Sequence, residues 1–351
     1  MCGIAGQYRS DGGASESEVR RMLSAIEHRG PDATAVADEG AAVLGHHRLS
    51  IIDLSDAASQ PMVDASGRYV MTYNGEIFNY VELRAELESE GVAFRSASDS
   101  EVLLAAFANW GDDAYNRLNG MFAFAIFDRT TRTLTCVRDR LGVKPLVYVW
   151  DGVTFSFASE HKALVASGCA SGDPSPDAVY EYIARGYTTG GRSFYDDIAA
   201  LEPGSMLRVN ADGLAVRHWW QPSLELDERP SFAEWTERVA ELVDDSVRIR
   251  LRSDVEVGGH LSGGLDSSAI VAAGARHEPG IQTFTGAFLD DPESDERRYS
   301  RAVNERFGLR GREVEISVDE LGGTFDRLLW HLDEPIAGPG AFPQLLVCDL
   351  A

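Results

Sequence analysis

The chain begins with Met1-Cys2-Gly3-Ile4-Ala5-Gly6. Because the second residue is small, we expect Met1 to be removed, which leaves a free α-amino group beside the Cys2 thiol. An α-amino group titrates near ~8 and a thiol near ~8.5, so the amine can accept the thiol proton at neutral pH. A cysteine at position 2 is usually inert, however, so the prediction of a nucleophile depends on the residues that follow.

Separate polar segments contain candidates for the other groups that the hydrolysis of an amide in an amino-acid substrate would require. A guanidinium clamps the substrate α-carboxylate, carboxylates hold its α-ammonium group, and two donors face the developing oxyanion. Arg48 is a candidate for the first role, and Glu76 and Asp99 are candidates for the second. The Asn74 side chain and the Gly75 N–H are candidates for the third.

Each candidate also has a purely structural interpretation. Arg48 could pair with a carboxylate on the surface. Asn74-Gly75 is the dipeptide most typical of a hairpin turn. Asp99 stands where the first turn of a helix favours negative charge. Taken singly, the structural interpretations are the stronger ones, so only the combination indicates a site.

Several segments carry a resemblance through residues 1–220. They are Met1 to Gly6, His28-Arg29-Gly30-Pro31-Asp32, the segments around Arg48 and Asn74, Asp99, Gly120-Met121-Phe122-Ala123-Phe124, Arg138-Asp139-Arg140-Leu141-Gly142 and Phe157-Ala158-Ser159-Glu160. In this order they resemble the class II glutamine amidotransferases. The resemblance implies an α+β N-terminal-nucleophile fold, with two stacked antiparallel sheets between helix layers (αββα).

The same resemblance implies roles for individual residues. Cys2 would be the nucleophile and its amino group the base, and Asn74 and Gly75 would form the oxyanion site. The residues that it implies for glutamine binding are Arg48, Leu49, Ser50, Ile51, Ile52, Asn74, Gly75, Glu76 and Asp99.

The pattern changes after a polar stretch that contains Pro222 and Pro230, which we interpret as a linker. In residues 221–351 strand and helix patterns alternate: strands are expected at 255–261, 282–288 and 312–316, with helices between them. Such alternation predicts a parallel sheet with helices on its faces. The final helical pattern has no capping glycine and three strands are few for this architecture, so we expect the chain to be cut within this domain.

A glycine- and serine-rich loop joins the first of these strands to a helix. Glycines let the backbone approach phosphates, hydroxyls add donors, and a helix N-terminus favours negative charge. The loop lacks the Gly-Lys-Ser/Thr of a Walker motif and resembles the pyrophosphate loop of ATP pyrophosphatases. That resemblance implies ATP binding, with Asp266 helping to bind Mg²⁺ and with Leu261 and Gly286 against adenine. The loop residues are Leu261, Ser262, Gly263, Gly264, Leu265, Asp266, Ser267 and Ser268.

A cysteine glutaminase followed by such a loop is similar to the glutamine-hydrolysing asparagine synthetases. In that family ATP activates aspartate as β-aspartyl-AMP, and ammonia from the glutaminase displaces AMP. The version Gly338-Pro339-Gly340 leaves the acceptor open, because another carboxylate such as a sugar acid would suit the same architecture. A further alternative is a stub without synthetase activity, since the family's later Gly-rich Asp-Glu segment and catalytic lysine do not occur here.

Charge and composition exclude other classes. The net charge is −24, which argues against nucleic acid as a partner because phosphates repel such a surface. No apolar run is long enough to span a membrane, and no secretory signal precedes Cys2, so we expect a cytoplasmic protein. The four cysteines are spread without a metal or disulfide pattern. A homodimer is left open by the sequence.

Overall fold

The computed structural model describes residues 1–227, 229–288, 295–336, 338 and 340–351, without the side chains of 318–321. Pro339 of the Gly338-Pro339-Gly340 segment lies outside these residues. The chain divides into two compact units, Met1–Ser223 and Leu224–Ala351.

Two six-stranded antiparallel sheets form the centre of the first unit. Their strand orders are β10-β8-β9-β1-β3-β2 and β12-β11-β7-β6-β5-β4. The strands are β1 Gly3–Arg9, β2 Ala33–Asp38, β3 Ala42–Arg48, β4 Met62–Val63, β5 Tyr69–Ile77, β6 Gly120–Asp128, β7 Thr133–Arg138, β8 Val147–Trp150, β9 Thr154–Ala158, β10 Ala199–Ala200, β11 Ser205–Asn210 and β12 Gly213–His218.

Helices cover the outer faces of both sheets. A core between the sheets contains Ile4, Phe127 and Phe157. One further core lies between each sheet and the helices that cover it. The predicted αββα layering is therefore confirmed. The helices of this unit are α1 Glu16–Ala25, α2 Tyr80–Ser89, α3 Asp99–Trp110, α4 Ala114–Arg117, α5 His161–Ser167 and α6 Pro176–Arg185.

The Asn74-Gly75 dipeptide lies inside a strand and not in a turn. Both residues belong to β5, and they pair with Ala123 and Phe122 of β6. A Cβ at Gly75 would stand 2.3 Å from the Met121 carbonyl oxygen, so no larger residue fits there without a shift. The hairpin interpretation of this dipeptide is thus wrong, because the tight approach of β6 accounts for the glycine.

The second unit contains a three-stranded parallel sheet in the order β13-β14-β15. This confirms the predicted α/β architecture. The first strand is shorter than expected, since its ladder begins at Gly258 opposite Gln282. The elements of the second unit are α7 Phe232–Arg250, β13 Gly258–His260, α8 Leu265–His277, β14 Gln282–Phe288, α9 Arg297–Phe307, β15 Arg310–Ile316, α10 Val318–Leu332 and α11 Ala341–Leu350. Among the described residues, no helix is both long and apolar enough to cross a bilayer.

Candidate active site

Cys2 stands directly before β1, beside the end of β3. The pairing of Gly3 with His47 brings Cys2 next to the segment that follows Arg48. The Leu49 N–H donates to Cys2 Sγ at 3.4 Å, and Sγ lies 3.6 Å from the Leu49 carbonyl oxygen. Burial raises the pKa of the Cys2 thiol, and the hydrogen bond from Leu49 offsets only part of this effect. The resting thiol therefore needs a base to become a nucleophile.

A cavity of about 250 Å³ opens beside this thiol. It brings together all ten residues that the sequence predicts for the glutamine site. What each of them does there stays a prediction. The lining residues are Met1, Cys2, Arg48, Leu49, Ser50, Ile51, Ile52, Ala58, Gln60, Tyr73, Asn74, Gly75, Glu76, Asp99, Ser100, Met121 and Lys144.

The Asn74 side chain has an unusual environment in this cavity. It is 1% exposed, yet neither its Nδ2 nor its Oδ1 has a hydrogen-bond partner in the described part of the chain. Leaving a buried amide unpaired costs about 1–3 kcal/mol for each polar group. A side chain held at this cost beside a thiol is suited to a ligand that pairs with it transiently.

Arg48 is buried and pairs with main-chain oxygens. Its Nη1 donates to the Ser55 carbonyl at 2.8 Å and its Nη2 to the Asp53 carbonyl at 2.5 Å. Asp53 has a positive φ of 55°, so the guanidinium fixes an unusual loop conformation. No carboxylate within the described ranges forms an ion pair with Arg48. The interpretation of Arg48 as the partner of a surface carboxylate is therefore wrong. The positive charge remains available to an anion in the cavity.

Asp99 is the first residue of α3, where Ser98 caps the helix by accepting from the Glu101 N–H. The Tyr73 hydroxyl donates to Asp99 Oδ2 at 2.7 Å, and the Ile77 N–H donates to the same oxygen at 3.0 Å. Burial raises the pKa of Asp99, although these hydrogen bonds favour its charged form. Two bonds to one oxygen orient the carboxylate, which is more than a helix cap requires.

Several lining residues were missed by sequence reasoning. Gln60 accepts the Tyr73 N–H at 2.7 Å and so fixes the strand that carries Asn74. Lys144 follows the Arg138 to Gly142 segment, which carries part of the resemblance. Arg138 donates to the Lys144 and Gly142 carbonyls. The signal that the sequence offered was a lysine placed directly after this motif. The structure shows that this lysine is buried.

An ion-pair network lies beneath the Cys2 main chain. Arg29 Nε donates to the Cys2 carbonyl at 3.0 Å, and its Nη1 donates to Glu160 at 2.6 Å. His28 and Lys162 also contact this carboxylate. Burial raises the pKa of Glu160, but hydrogen bonds from these three side chains outweigh it and lower the pKa to about 2. Glu160 therefore stays charged and holds Arg29 against the nucleophile's backbone.

The predicted nucleotide loop connects β13 to α8 in the second unit. Gly263 has a φ of +95°, and Gly264 precedes α8 without a side-chain cap. Ser262 Oγ accepts the Gly264 N–H and lies 3.0 Å from Ser267 Oγ. The uncapped N-terminus of a 13-residue helix with two hydroxyls beside it fits phosphate oxygens.

The two residues predicted to lie against adenine, Leu261 and Gly286, also have structural roles in the sheet. Leu261 is fully buried, and its main chain bonds Phe284 and Thr285. A Cβ at Gly286 would meet Ile316 at 2.7 Å, so packing also requires this glycine. Their contact with adenine stays a prediction.

Asp266 is exposed in the first turn of α8. No group of three metal-binding side chains occurs among the described residues. Asp266 therefore fits Mg²⁺ only as one ligand beside phosphate oxygens, which Mg²⁺ accepts in nucleotide sites. A cavity of about 780 Å³ lies elsewhere in this unit, at the amino ends of the parallel strands, lined by residues such as Gly258, Gln282 and Arg310. Because α/β sheets bind ligands at the carboxyl ends of their strands, we do not assign the nucleotide to it.

Comparisons with known proteins agree with this arrangement. Residues 1–220 match a family of glutamine amidotransferase domains, and residues 238–351 match the asparagine synthase family. The chain is 33% identical to asparagine synthetase (glutamine-hydrolyzing) 1 of Bacillus subtilis, over 100% of this chain and 56% of the relative. It is 36% identical to the synthetase numbered 3 of the same organism, over 96% and 56%. It is 30% identical to amidase chry2 of Gibberella zeae, over 99% and 56%.

The chain thus spans little more than half the length of these relatives. Both family matches occur in the same order as the two compact units, Met1–Ser223 and Leu224–Ala351. The chain belongs to the asparagine synthetase family of glutamine amidotransferases.

Proposed function

We propose that this chain hydrolyses glutamine to glutamate and ammonia, with Cys2 as the nucleophile. The observation that carries the proposal is the buried Asn74 amide, which lines the same cavity as Cys2 Sγ and lacks a partner among the described residues. An amide N–H that is preorganised in this way can stabilise the oxyanion of a tetrahedral intermediate without first breaking another hydrogen bond.

The chemistry begins once Met1 is removed. The α-amino group of Cys2 takes the thiol proton, and Sγ attacks the side-chain carbonyl carbon of glutamine. The carbonyl electron pair moves to oxygen, where the Asn74 Nδ2 and the Gly75 N–H donate to it. The C–N bond then breaks as the amine returns its proton to the leaving nitrogen, which departs as ammonia. Water attacks the thioester, the sulfur leaves as a thiol, and glutamate is released.

Charged side chains of the cavity suit the two ends of the substrate. Arg48 has no carboxylate partner within the described residues and would receive the α-carboxylate. Asp99, oriented by Tyr73 and Ile77, would receive the α-ammonium group together with Glu76. The main chain of residues 49–52 would line the pocket between them. This division places the side-chain amide of glutamine toward Cys2.

The test is glutamate release from glutamine by the purified chain and by Cys2→Ala. We expect Cys2→Ala to abolish release while the thermal unfolding temperature stays close to that of the wild type. Cys169→Ala is the matched control, because this cysteine is half-buried in the same unit but does not line the cavity. Glutamate release that persists in Cys2→Ala would remove Cys2 from the mechanism.

For the longer proteins of this family, we propose that the ammonia is transferred to a carboxylate activated with ATP, aspartate being the favoured acceptor. The names of two relatives favour asparagine synthesis. The third relative is named an amidase, and another carboxylate such as a sugar acid stays the alternative acceptor. ATP, when bound, supplies the group that activates the acceptor. The loop from Ser262 to Ser268 would hold its phosphates, and Asp266 would contribute one oxygen to Mg²⁺.

Pyrophosphate release from ATP in the presence of aspartate tests this second proposal in parallel. Glutamate release without pyrophosphate release would indicate an active glutaminase joined to a synthetase portion that is inactive in this chain. Pyrophosphate release that depends on aspartate would show that residues 224–351 already contain a working synthetase site. Release that depends on a different carboxylate would refute aspartate as the acceptor.

A further inference from the structure

The glutaminase cavity contains a buried cation that the mechanism above does not use. Lys144 lies in the loop between β7 and β8, is 5% exposed and lines the cavity with Cys2. Its Nζ lies 3.0 Å from Met1 Sδ, and a thioether is a weak acceptor. No carboxylate in the described part of the chain forms an ion pair with Lys144. Burial lowers the pKa of Lys144, and the nearby carboxylates of Glu76 and Asp139 offset only part of this effect.

The backbone around Lys144 is held firmly. Its N–H donates to Asp139 Oδ2 at 3.0 Å, and Arg138 donates to its carbonyl oxygen. The Asp139 carboxylate also accepts from three other main-chain N–H groups, so its charge is already engaged. The side chain is therefore directed by a rigid turn, and its position in the cavity is not a consequence of a local ion pair.

Apart from Arg48, which donates to main-chain carbonyls, other charged groups near Cys2 have polar partners or face the cavity from a neighbouring strand. Arg29 is ion-paired with Glu160 at 2.6 Å. Asp32 accepts the Ser50 N–H, Asp99 accepts two hydrogen bonds, and Glu76 faces the cavity from β5. Lys144 is thus, like Arg48, a cation of this cavity without an ion pair in the described part of the chain, and removal of Met1 takes away the side chain that now contacts the Lys144 Nζ.

We propose, on the basis of the glutaminase function above, that Lys144 is a positioning residue that favours the reactive, singly deprotonated form of the processed Cys2. The thiol and the α-amino group of Cys2 form one coupled pair, which loses one proton when it becomes reactive. Whichever group loses that proton, the net charge of the pair falls by one. A neighbouring ammonium group without an ion pair in the described part of the chain stabilises this state by Coulomb attraction in a poorly solvated site.

The pH dependence of kcat/KM for glutamine hydrolysis tests this inference. In Lys144→Met we expect the acidic limb of the profile to move to higher pH by about one unit, whereas Lys144→Arg should keep the wild-type limb. Lys162→Met is the matched control. It removes the only other lysine of the sequence, which pairs with Glu160 and does not line the cavity. We expect its acidic limb to stay in place.

Stability separates this role from a structural one. Replacing an unpaired buried ammonium with an apolar side chain of similar length should leave the thermal unfolding temperature unchanged or raise it. A Lys144→Met variant that loses stability and activity together, with an unmoved acidic limb, would show that Lys144 only supports the fold and would overturn the inference.

A second readout does not depend on glutamine turnover. The rate of Cys2 alkylation by iodoacetamide, measured against pH by peptide mass spectrometry on protein whose Met1 is removed, reports the same ionisation. A shifted alkylation profile in Lys144→Met supports the inference even if the wild type releases no glutamate, which would refute the proposed function alone. Unshifted profiles, or a raised KM for glutamine with an unmoved acidic limb, would refute the inference while leaving the glutaminase intact.

Discussion

Replacement of Asn74 by alanine should separate the activity of this protein from its stability. The amide is buried without a partner among the described residues, so its removal relieves a cost of about 1–3 kcal/mol for each unpaired group. The loss of the packing contacts of the side chain opposes this gain. We therefore expect the free energy of unfolding to change by less than about 1 kcal/mol.

The effect on catalysis should be much larger. Loss of one oxyanion donor typically lowers kcat by about 10²–10³-fold, or about 2.7–4 kcal/mol of transition-state stabilisation. Because Arg48 and Asp99 are retained, the KM for glutamine should change little. The measurements are glutamate release under saturating glutamine and urea unfolding of the same preparation. Asn74→Asp, which keeps the shape but loses the N–H donor, should resemble the alanine variant.

Thr72→Val provides the contrasting control on the same strand. The Thr72 hydroxyl donates to the buried Gly45 carbonyl at 3.0 Å, so its loss leaves an acceptor unpaired. We expect lower stability with nearly normal kcat, the opposite of the Asn74 result. If Asn74→Ala keeps kcat within about threefold of the wild type, Asn74 is not an oxyanion donor and the reasoning from its unpaired amide is refuted.

Three further predictions concern residues around the same site. Arg48→Lys loses the planar fork, so the KM for glutamine should rise by about tenfold or more, and an unchanged KM would contradict carboxylate binding. Gly75→Ala places a Cβ 2.3 Å from the Met121 carbonyl, so unfolding should cost about 1–3 kcal/mol less and glutamate release should fall. Glu160 has its pKa lowered from 4.5 to about 2, so it stabilises the fold above pH 4.5. Glu160→Gln should lose about 3 kcal/mol at pH 7, and the difference from the wild type should vanish as the pH falls toward 2.

The architecture of the second unit was readable from the sequence because its signals are local. The alternation of β-branched runs and helical patterns gave the parallel sheet, and β14 was predicted with its observed bounds, Gln282–Phe288. The first strand was predicted too long. Val255 to Val257 have strand-forming side chains, but no strand in the described part of this unit pairs with them before Gly258 meets Gln282. Propensity alone does not reveal where a partner strand begins.

Other elements were missed because their signals were weak or contradictory. β1 has two glycines within seven residues, and glycine disfavours a strand by propensity. Gly6 is nevertheless required there, since a Cβ would stand 2.4 Å from the Phe157 ring. α7 was hidden by the preceding prolines, although its capping box, Ser231 with Glu234, was visible in the sequence. In β1 a contact with a distant strand outweighs the low strand propensity of glycine. In α7 a local capping box outweighs the effect of the preceding prolines.

The candidate site shows most clearly where local reasoning ends. Arg48, Asn74 and Asp99 each had a purely structural interpretation, and each interpretation was chemically sound for the isolated segment. What decides between interpretations is the pairing of strands distant in sequence: β1 with β3 sets Cys2 beside Leu49, and β5 with β6 leaves no room for a turn at Asn74. Once these registers are known, Arg48 is seen to be a buried cation and not a surface one. Asn74 is seen to be a buried amide without a partner among the described residues and not a turn residue. The functional signal is therefore the cost of the arrangement. Within the described residues the Asn74 amide has no hydrogen-bond partner and the cations of the cavity have no ion pair, whereas a fold selected for stability alone would have paired them.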